Sequence, residues 1–203
     1  MLEWYDTVAG EGRHEIDKIK GSRFIGSCAP VANEADARAF LDRIRAEFAD
    51  ARHHGSAWRL GADGATFRYD DDGEPSGSTG QPILRQIDGA GLTGIVVVVT
   101  RYFGGTKLGV GGLVRAYGAA AAAVLEATPH ERVSITRGLR VAYPYECEGA
   151  VQGVLAAAGL EPLESHYGEG IRMRFQVPVA RVDAFRQELT DRTGGRAEIR
   201  EDE

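Results

Sequence analysis

The run Gly94-Ile95-Val96-Val97-Val98-Val99-Thr100 restricts the folds open to this chain more than any other segment. β-branched residues favour extended backbone, and successive side chains of a strand point to opposite faces. An unbroken apolar strand is therefore hydrophobic on both faces and has to be covered on both. A glycine-rich segment, Gly104 to Gly112, follows directly. After it, Leu113, Tyr117, Ala120, Ala121 and Val124 recur at helical spacing until Pro129, and the alanines from Ala119 to Ala123 allow a helix to pack closely on a sheet.

Upstream, residues 33–48 read as a helix capped by Asn33, with Asp36 in its first turn and Ala37, Phe40, Leu41, Ile44 and Phe48 on one face. Ser22 to Ala29 reads as a strand. The segments around Ala57-Trp58 and Thr66 to Tyr69 flank the turn Gly61-Ala62-Asp63-Gly64 and predict a hairpin. Asp70 to Gly80 is a loop rich in Asp, Gly, Pro and Ser, and Pro82 is placed to open a short helix through Ile87.

The pattern changes after a boundary between Ser134 and Gly138. Strands at Leu139–Tyr143, Leu160–Tyr167, Ile171–Val177 and Ala197–Arg200 alternate with helices at Glu146–Ala158 and Val182–Thr193. That β-α-β-β-α-β order predicts a ferredoxin-like module at residues 137–203, behind a first domain at residues 1–136. The strict alternation of Ile171, Met173, Phe175 and Val177 should place these on one sheet face, with Arg172, Arg174 and Gln176 on the other. The fold class is α+β.

No apolar run approaches the ~20 residues that span a bilayer, and Met1-Leu2-Glu3-Trp4-Tyr5-Asp6 lacks the basic start of a signal peptide. Cys28 and Cys147 are too few for a disulfide framework. The expectation is a cytoplasmic protein with no membrane partner and both cysteines in its cores. The formal charge of −6 excludes a generally polycationic surface, so any nucleic-acid contact needs a local patch. Gly89 to Leu125 holds Arg101, Lys107 and Arg115 and no acid, which fits either such a patch or a buried segment that avoids carboxylates.

Strand, glycine loop and helix together present backbone N–H groups and a helix N-terminus to an anion. The candidate anion- or nucleic-acid-binding residues are Arg101, Gly104, Gly105, Lys107, Gly109 and Arg115. The loop matches neither the Walker pattern nor the dinucleotide fingerprint, and the same glycines would also serve close backbone approach. Asp71, Asp72 and Glu74 suit either a two-carboxylate magnesium site or a turn whose side chains cap nearby N–H groups. An EF-hand is excluded because Pro75 stands where that loop needs Gly. Adjacent His53 and His54 on a strand face opposite ways and cannot share one metal without distortion. No nucleophile elbow, HExxH or paired-cysteine motif is present, and neither a metal nor a cofactor is expected.

Lys20-Gly21-Ser22-Arg23-Phe24-Ile25, Ala51-Arg52-His53-His54, Asp71-Asp72-Gly73-Glu74-Pro75-Ser76-Gly77 and Arg101 to Gly109 resemble, in order, the signature blocks of the YigZ/Impact family. Ser22, Arg23, Arg52, His53, His54, Asp71, Asp72 and Glu74 join the candidates on that ground. Gly55 stands where bacterial relatives often carry Cys, which argues against an obligatory thiol. The resemblance implies a first domain of the ribosomal protein S5 domain 2-like fold, with helices on one face of a sheet. It implies a second domain similar to a ferredoxin-like module of elongation factor G. It further implies a non-enzymatic protein linked to regulation of translation, whose partner is a ribosome, RNA or a translation-related protein, with no DNA specificity evident. The alternative is a phosphate-ligand or metal-dependent hydrolase. Where the four blocks lie in space separates the two: convergence on one cleft favours the hydrolase.

Overall fold

The computed structural model describes residues 2–202 and divides into two compact units, Leu2–Val133 and Ser134 onward. In chain order the first contains β1 (Trp4–Val8), β2 (Gly12–Glu15), β3 (Arg23–Pro30), α1 (Glu34–Glu47), β4 (His53–Leu60), β5 (Thr66–Asp70), α2 (Gly80–Gly89), β6 (Ile95–Tyr102) and α3 (Val110–Ala127). β7 (His130–Ser134) ends at the boundary. The second holds β8 (Thr136–Tyr143), α4 (Glu148–Ala158), β9 (Glu164–Tyr167), β10 (Ile171–Pro178), α5 (Val182–Thr193) and β11 (Glu198–Glu201).

β6 is the middle of a five-stranded sheet of order β2-β3-β6-β4-β5, in which every neighbouring pair is antiparallel. Ile95, Val97 and Val99 face α2 and α3, in a core with Phe24, Ala57, Ile83 and Tyr117. Val96 and Val98 face α1, in a second core with Phe40, Ile44 and Trp58. Helices thus cover both sheet faces, which corrects the one-faced arrangement that the resemblance implied. The cause is the valine run itself: its two faces each need an apolar cover, and burying each Val or Ile contributes roughly 1.5–3 kcal/mol.

The helix at 33–48 starts as expected, with Asn33 Oδ1 accepting from the Asp36 backbone N–H at 3.0 Å. The hairpin is β4 paired with β5. β1, β2 and β7 were not anticipated. β2 reads Gly-Arg-His-Glu and joins β3 through backbone pairing, with no apolar alternation to announce it. α2 begins at Gly80, before Pro82. α3 begins at Val110, so Gly111 and Gly112 belong to its first turn rather than to the loop. By length and composition α3 could cross a membrane, and its apolar face is buried in the first core.

The second unit has the predicted β-α-β-β-α-β order, with an antiparallel sheet ordered β11-β8-β10-β9. Ile171, Met173, Phe175 and Val177 are buried with Leu139, Val141 and the α4 and α5 side chains. Arg172 and Gln176 are exposed and Arg174 is half-buried, on the opposite side, as the alternation predicts. The strand expected from Leu160 begins only at Glu164. Gly159 takes a left-handed C-cap and Leu160 N–H bonds back to the α4 carbonyl of Leu155, so these residues finish the helix. Cys28 and Cys147 are both buried and free.

Candidate functional site

The antiparallel register brings the start of β3, the start of β4, and the ends of β5 and β6 to one end of the first sheet. Arg23 is opposite Tyr102, His53 is opposite Arg101, and Asp70 is opposite Ser56. All four sequence blocks therefore meet there. Their joints are internal and specific. Gly104 N–H donates to Ser22 Oγ at 3.1 Å, linking the first block to the fourth. His54 N–H donates to Asp72 Oδ2 at 2.7 Å, linking the second to the third. Arg101 Nη1 donates to Glu74 Oε1 at 2.5 Å, linking the fourth to the third.

The three carboxylates of the acidic turn go to three different destinations. Asp71 accepts the N–H groups of Gly77, Thr79 and Gly80, which holds the turn and caps α2. Asp72 sits at φ 46° and pairs through Oδ1 with Arg45 at 2.7 Å. Glu74 is 6% exposed and also accepts from Tyr117 Oη at 2.9 Å. This is the capping reading of the turn. Among the described residues, no group of three or more His, Cys, Asp or Glu could hold a metal ion.

Arg101 lies in β6 rather than in the glycine loop. Its side chain is 6% exposed, paired with Glu74 and placed between the rings of Phe24 and Phe103. It organises the site from inside and is not offered to an external anion. Arg23 is likewise engaged, with Glu15 at 2.8 Å and over the Tyr102 ring. His53 and His54 face opposite sides of the sheet. His53 Nδ1 lies 2.8 Å from the Asp72 carbonyl, and His54 Nδ1 lies 3.1 Å from Thr100 Oγ1. At Gly55 an added Cβ would fall 1.8 Å from the Thr79 methyl, so that threonine fills the space a larger residue would need.

Asp50, Asp70 and Glu15 are also exposed at this end, bonded to Tyr102, the Asp72 N–H and Arg23 respectively, whereas four basic side chains carry no such tie among the described residues. Lys107 and Arg115 are exposed and, among the described residues, neither has an ion-pair partner; Lys20 and Arg52 project from adjoining loops in the same condition. Gly109 is the N-cap of α3 and provides no side-chain acceptor, and the first turn carries no acid. The leading N–H groups of α3 are thus left to solvent or a ligand, with roughly half a positive charge from the helix dipole. Gly104 and Gly105 are exposed beside them, along with Phe103 and Val110.

Sequence reasoning missed Tyr117, Arg45 and Asp50 as members of this network; Tyr102 Oη donates to Asp50 at 2.7 Å. Tyr117 carried a readable signal, a polar-tipped ring on the apolar face of an alanine-rich helix. Its burial and the adjacent Glu74 carboxylate push the phenol far above the ordinary tyrosine range, so it is a donor at every physiological pH.

Burial depresses His54 below its ordinary value of 6.5, against the opposing pull of Asp72. The unfolded chain then binds more protons in that range, so the His54 contribution is complete above about pH 6.5 and is lost as pH falls toward the folded value. The unfolding midpoint should drop on acidification from neutral pH, and His54→Gln should flatten that slope. Equal slopes in wild type and variant would show that His54 is not responsible.

The Impact N-terminal domain matches residues 20–125, and a domain of unknown function, DUF1949, matches residues 141–196. YvyE of Bacillus subtilis is 35% identical over 203 residues, spanning all of this chain and 93% of that protein. YigZ of Escherichia coli is 36% identical over 191 residues, or 91% of each. An IMPACT homologue of Saccharomyces cerevisiae is 37% identical over 106 residues, 49% of this chain and 40% of that one. The crystal structure of a hypothetical protein, 33% identical, superposes with a TM-score of 0.79 over all of this chain and 99% of that one. With an α+β architecture, its four signature blocks joined at one sheet end, and relatives matched along its whole length, the chain belongs to the IMPACT family.

Proposed function

We propose that this protein is a non-enzymatic, cytoplasmic binding protein linked to regulation of translation, and that it contacts RNA or the ribosome through the start of α3. The first unit is read as a ribosomal protein S5 domain 2-like fold and the second as a ferredoxin-like module related to one in elongation factor G. The observation that carries the ligand class is the exposed, acid-free α3 N-terminus, with Lys107 and Arg115 beside it and no carboxylate partner for either among the described residues. Backbone N–H groups of that kind suit phosphate oxygens of any base sequence, so the contact is sequence-tolerant.

Binding of the full chain to ribosomes and to mixed-sequence RNA, measured at several salt concentrations, tests this. Lys107→Ala and Arg115→Ala should each weaken binding across sequences and lower the salt slope by about one. Absence of salt-sensitive binding in the wild type would remove the nucleic-acid reading in favour of a protein partner, and unchanged binding in both variants would move the contact elsewhere.

A second reading, a phosphate-ligand or metal-dependent hydrolase, is favoured by one observation, the convergence of four polar blocks at one sheet end. Against it, Asp71, Asp72 and Glu74 are each committed to a separate internal partner.

A further inference from the structure

The second unit carries a distinct arrangement on the face of its sheet turned away from α4 and α5. The register sets Arg200 of β11 opposite Arg140 of β8, and Arg140 opposite Arg174 of β10. Three arginines therefore stand in one row across three neighbouring strands, about 4.8 Å apart from strand to strand. In the next row, Arg172 is opposite His166 on one side and Ala142 on the other. Like charges directly opposite each other on a sheet are destabilising, and nothing in the β-α-β-β-α-β fold requires arginine at these outward positions. The face also lines an open groove of about 680 Å³.

An anion already sits on the row. The carboxylate of Asp202 is 11% exposed and pairs with Arg140 Nε at 2.5 Å and with Arg174 Nε. The Arg174 guanidinium, followed by Arg140, holds its pKa below the ordinary aspartate value. Asp202 occupies the position that the oxygens of an incoming anion would take. Arg172 has no acidic partner among the described residues, and Arg200 keeps only Glu198, at 3.2 Å. Glu198 and Glu164 stand on the outer strands β11 and β9, and Glu164 reaches Arg174 Nη1 at 3.1 Å, so among the described residues the arginines of the face without an outer-strand acid are Arg140 and Arg172.

We infer that this face binds the sugar–phosphate backbone of single-stranded RNA running across the strands, and that Asp202 is an internal competitor for its central arginines. Charge spaced across strands fits a polymer with one anion per unit laid perpendicular to them. An extended acidic peptide would instead align with a strand edge. Arginine forks suit phosphate bidentately, and the outward residues of these two rows include no Phe, Tyr or Trp, with the His166 ring on the edge strand β9 the single surface on which a base could stack, so the contact is chiefly to the backbone and tolerant of sequence. The inference shares its ligand class with the α3 reading but uses different residues in a different unit.

The test uses the full chain and a fluorescent, mixed-sequence single-stranded RNA, with anisotropy read at several salt concentrations. Arg140→Ala and Arg172→Ala should each reduce the salt slope by about 0.7, the value for one phosphate contact on a single strand. Asp202→Asn should tighten binding about fivefold, because it removes one competing charge near the surface. Circular dichroism melting establishes that each variant is folded, and Arg172→Ala, exposed and unpaired, keeps the test decisive if Asp202→Asn melts early. If these effects appear while Lys107→Ala and Arg115→Ala bind normally, the inference stands and the α3 reading falls. Wild-type slopes in both arginine variants, or an unchanged or weakened affinity in Asp202→Asn, would overturn it. Displacement of the RNA by poly-glutamate at equal charge concentration would also overturn it, by showing an acidic polypeptide to be the better occupant.

Discussion

Glu74→Ala is expected to destabilise the first unit by about 3–5 kcal/mol, the usual cost of leaving one buried charge without its partner. Glu74 and Arg101 are each 6% exposed, and the pair joins the acidic turn to the end of the central strand. The substitution would strand two donors at once, Arg101 Nη1 and Tyr117 Oη. Arg101 Nε is already buried without a partner, so nothing nearby stands ready to take up the charge. Urea unfolding should show a lower midpoint with an unchanged m-value, because the surface exposed on unfolding stays the same. Glu74→Gln separates charge from hydrogen bonding: it keeps an acceptor for Tyr117 but leaves the guanidinium unpaired, and should recover only a part of the loss. The paired replacement Glu74→Leu with Arg101→Met should cost less than Glu74→Ala alone, since apolar pairs often replace buried ion pairs with little loss. A Glu74→Ala cost under about 1 kcal/mol, the range of exposed pairs, would mean that water reaches the pair.

This pair also marks how far the sequence could be read. The valine run announced a doubly covered central strand, and the alternation in β10 announced which residues face the second core. Both are periodic signals, and burial enforces them. β2 and β7 escaped because they are short, mostly exposed and polar, held by backbone pairing that leaves no trace in side-chain pattern. The acidic turn was legible as a capping device, since Asp followed by Gly, Ser and Thr is turn chemistry. A tie between Arg101 and a carboxylate such as Asp72 or Glu74 is one reading of the sequence, and Glu74 is the partner; that Tyr117 would join them was not legible, because it depends on a contact 43 residues away. Arg101 counts among the anion-contacting candidates because it lies beside the loop in sequence; the strand's two-residue periodicity points it into the α3 face instead. The resemblance supplied the four blocks together, but their convergence on one sheet end needed the register.

Gly104→Ala should be the most disruptive single-methyl change at this end of the sheet. Gly104 and Gly21 press backbone on backbone where the first and fourth blocks meet. A Cβ at Gly104 would lie 1.9 Å from the Gly21 carbonyl carbon and 2.1 Å from the Ser22 nitrogen. Neither atom is the end of a side chain that can swing away, so the two loops would have to separate. Separation breaks the bond from Gly104 N–H to Ser22 Oγ, and Ser22 is fully buried, so its hydroxyl would be left without that donor. The combined steric and hydrogen-bond loss is about 3 kcal/mol or more. The strain falls beside the glycines that lead into α3, so the change should also weaken salt-dependent binding if the loop is the anion contact. Gly105→Ala is the control of different cause: a Cβ there meets nothing within 4 Å, but φ is 89°, so only conformational strain of about 1–2 kcal/mol is expected. Chemical unfolding of the two variants side by side should rank Gly104→Ala well below Gly105→Ala. Equal midpoints would show that the 20–22 and 103–105 segments are not held together as tightly as this packing requires.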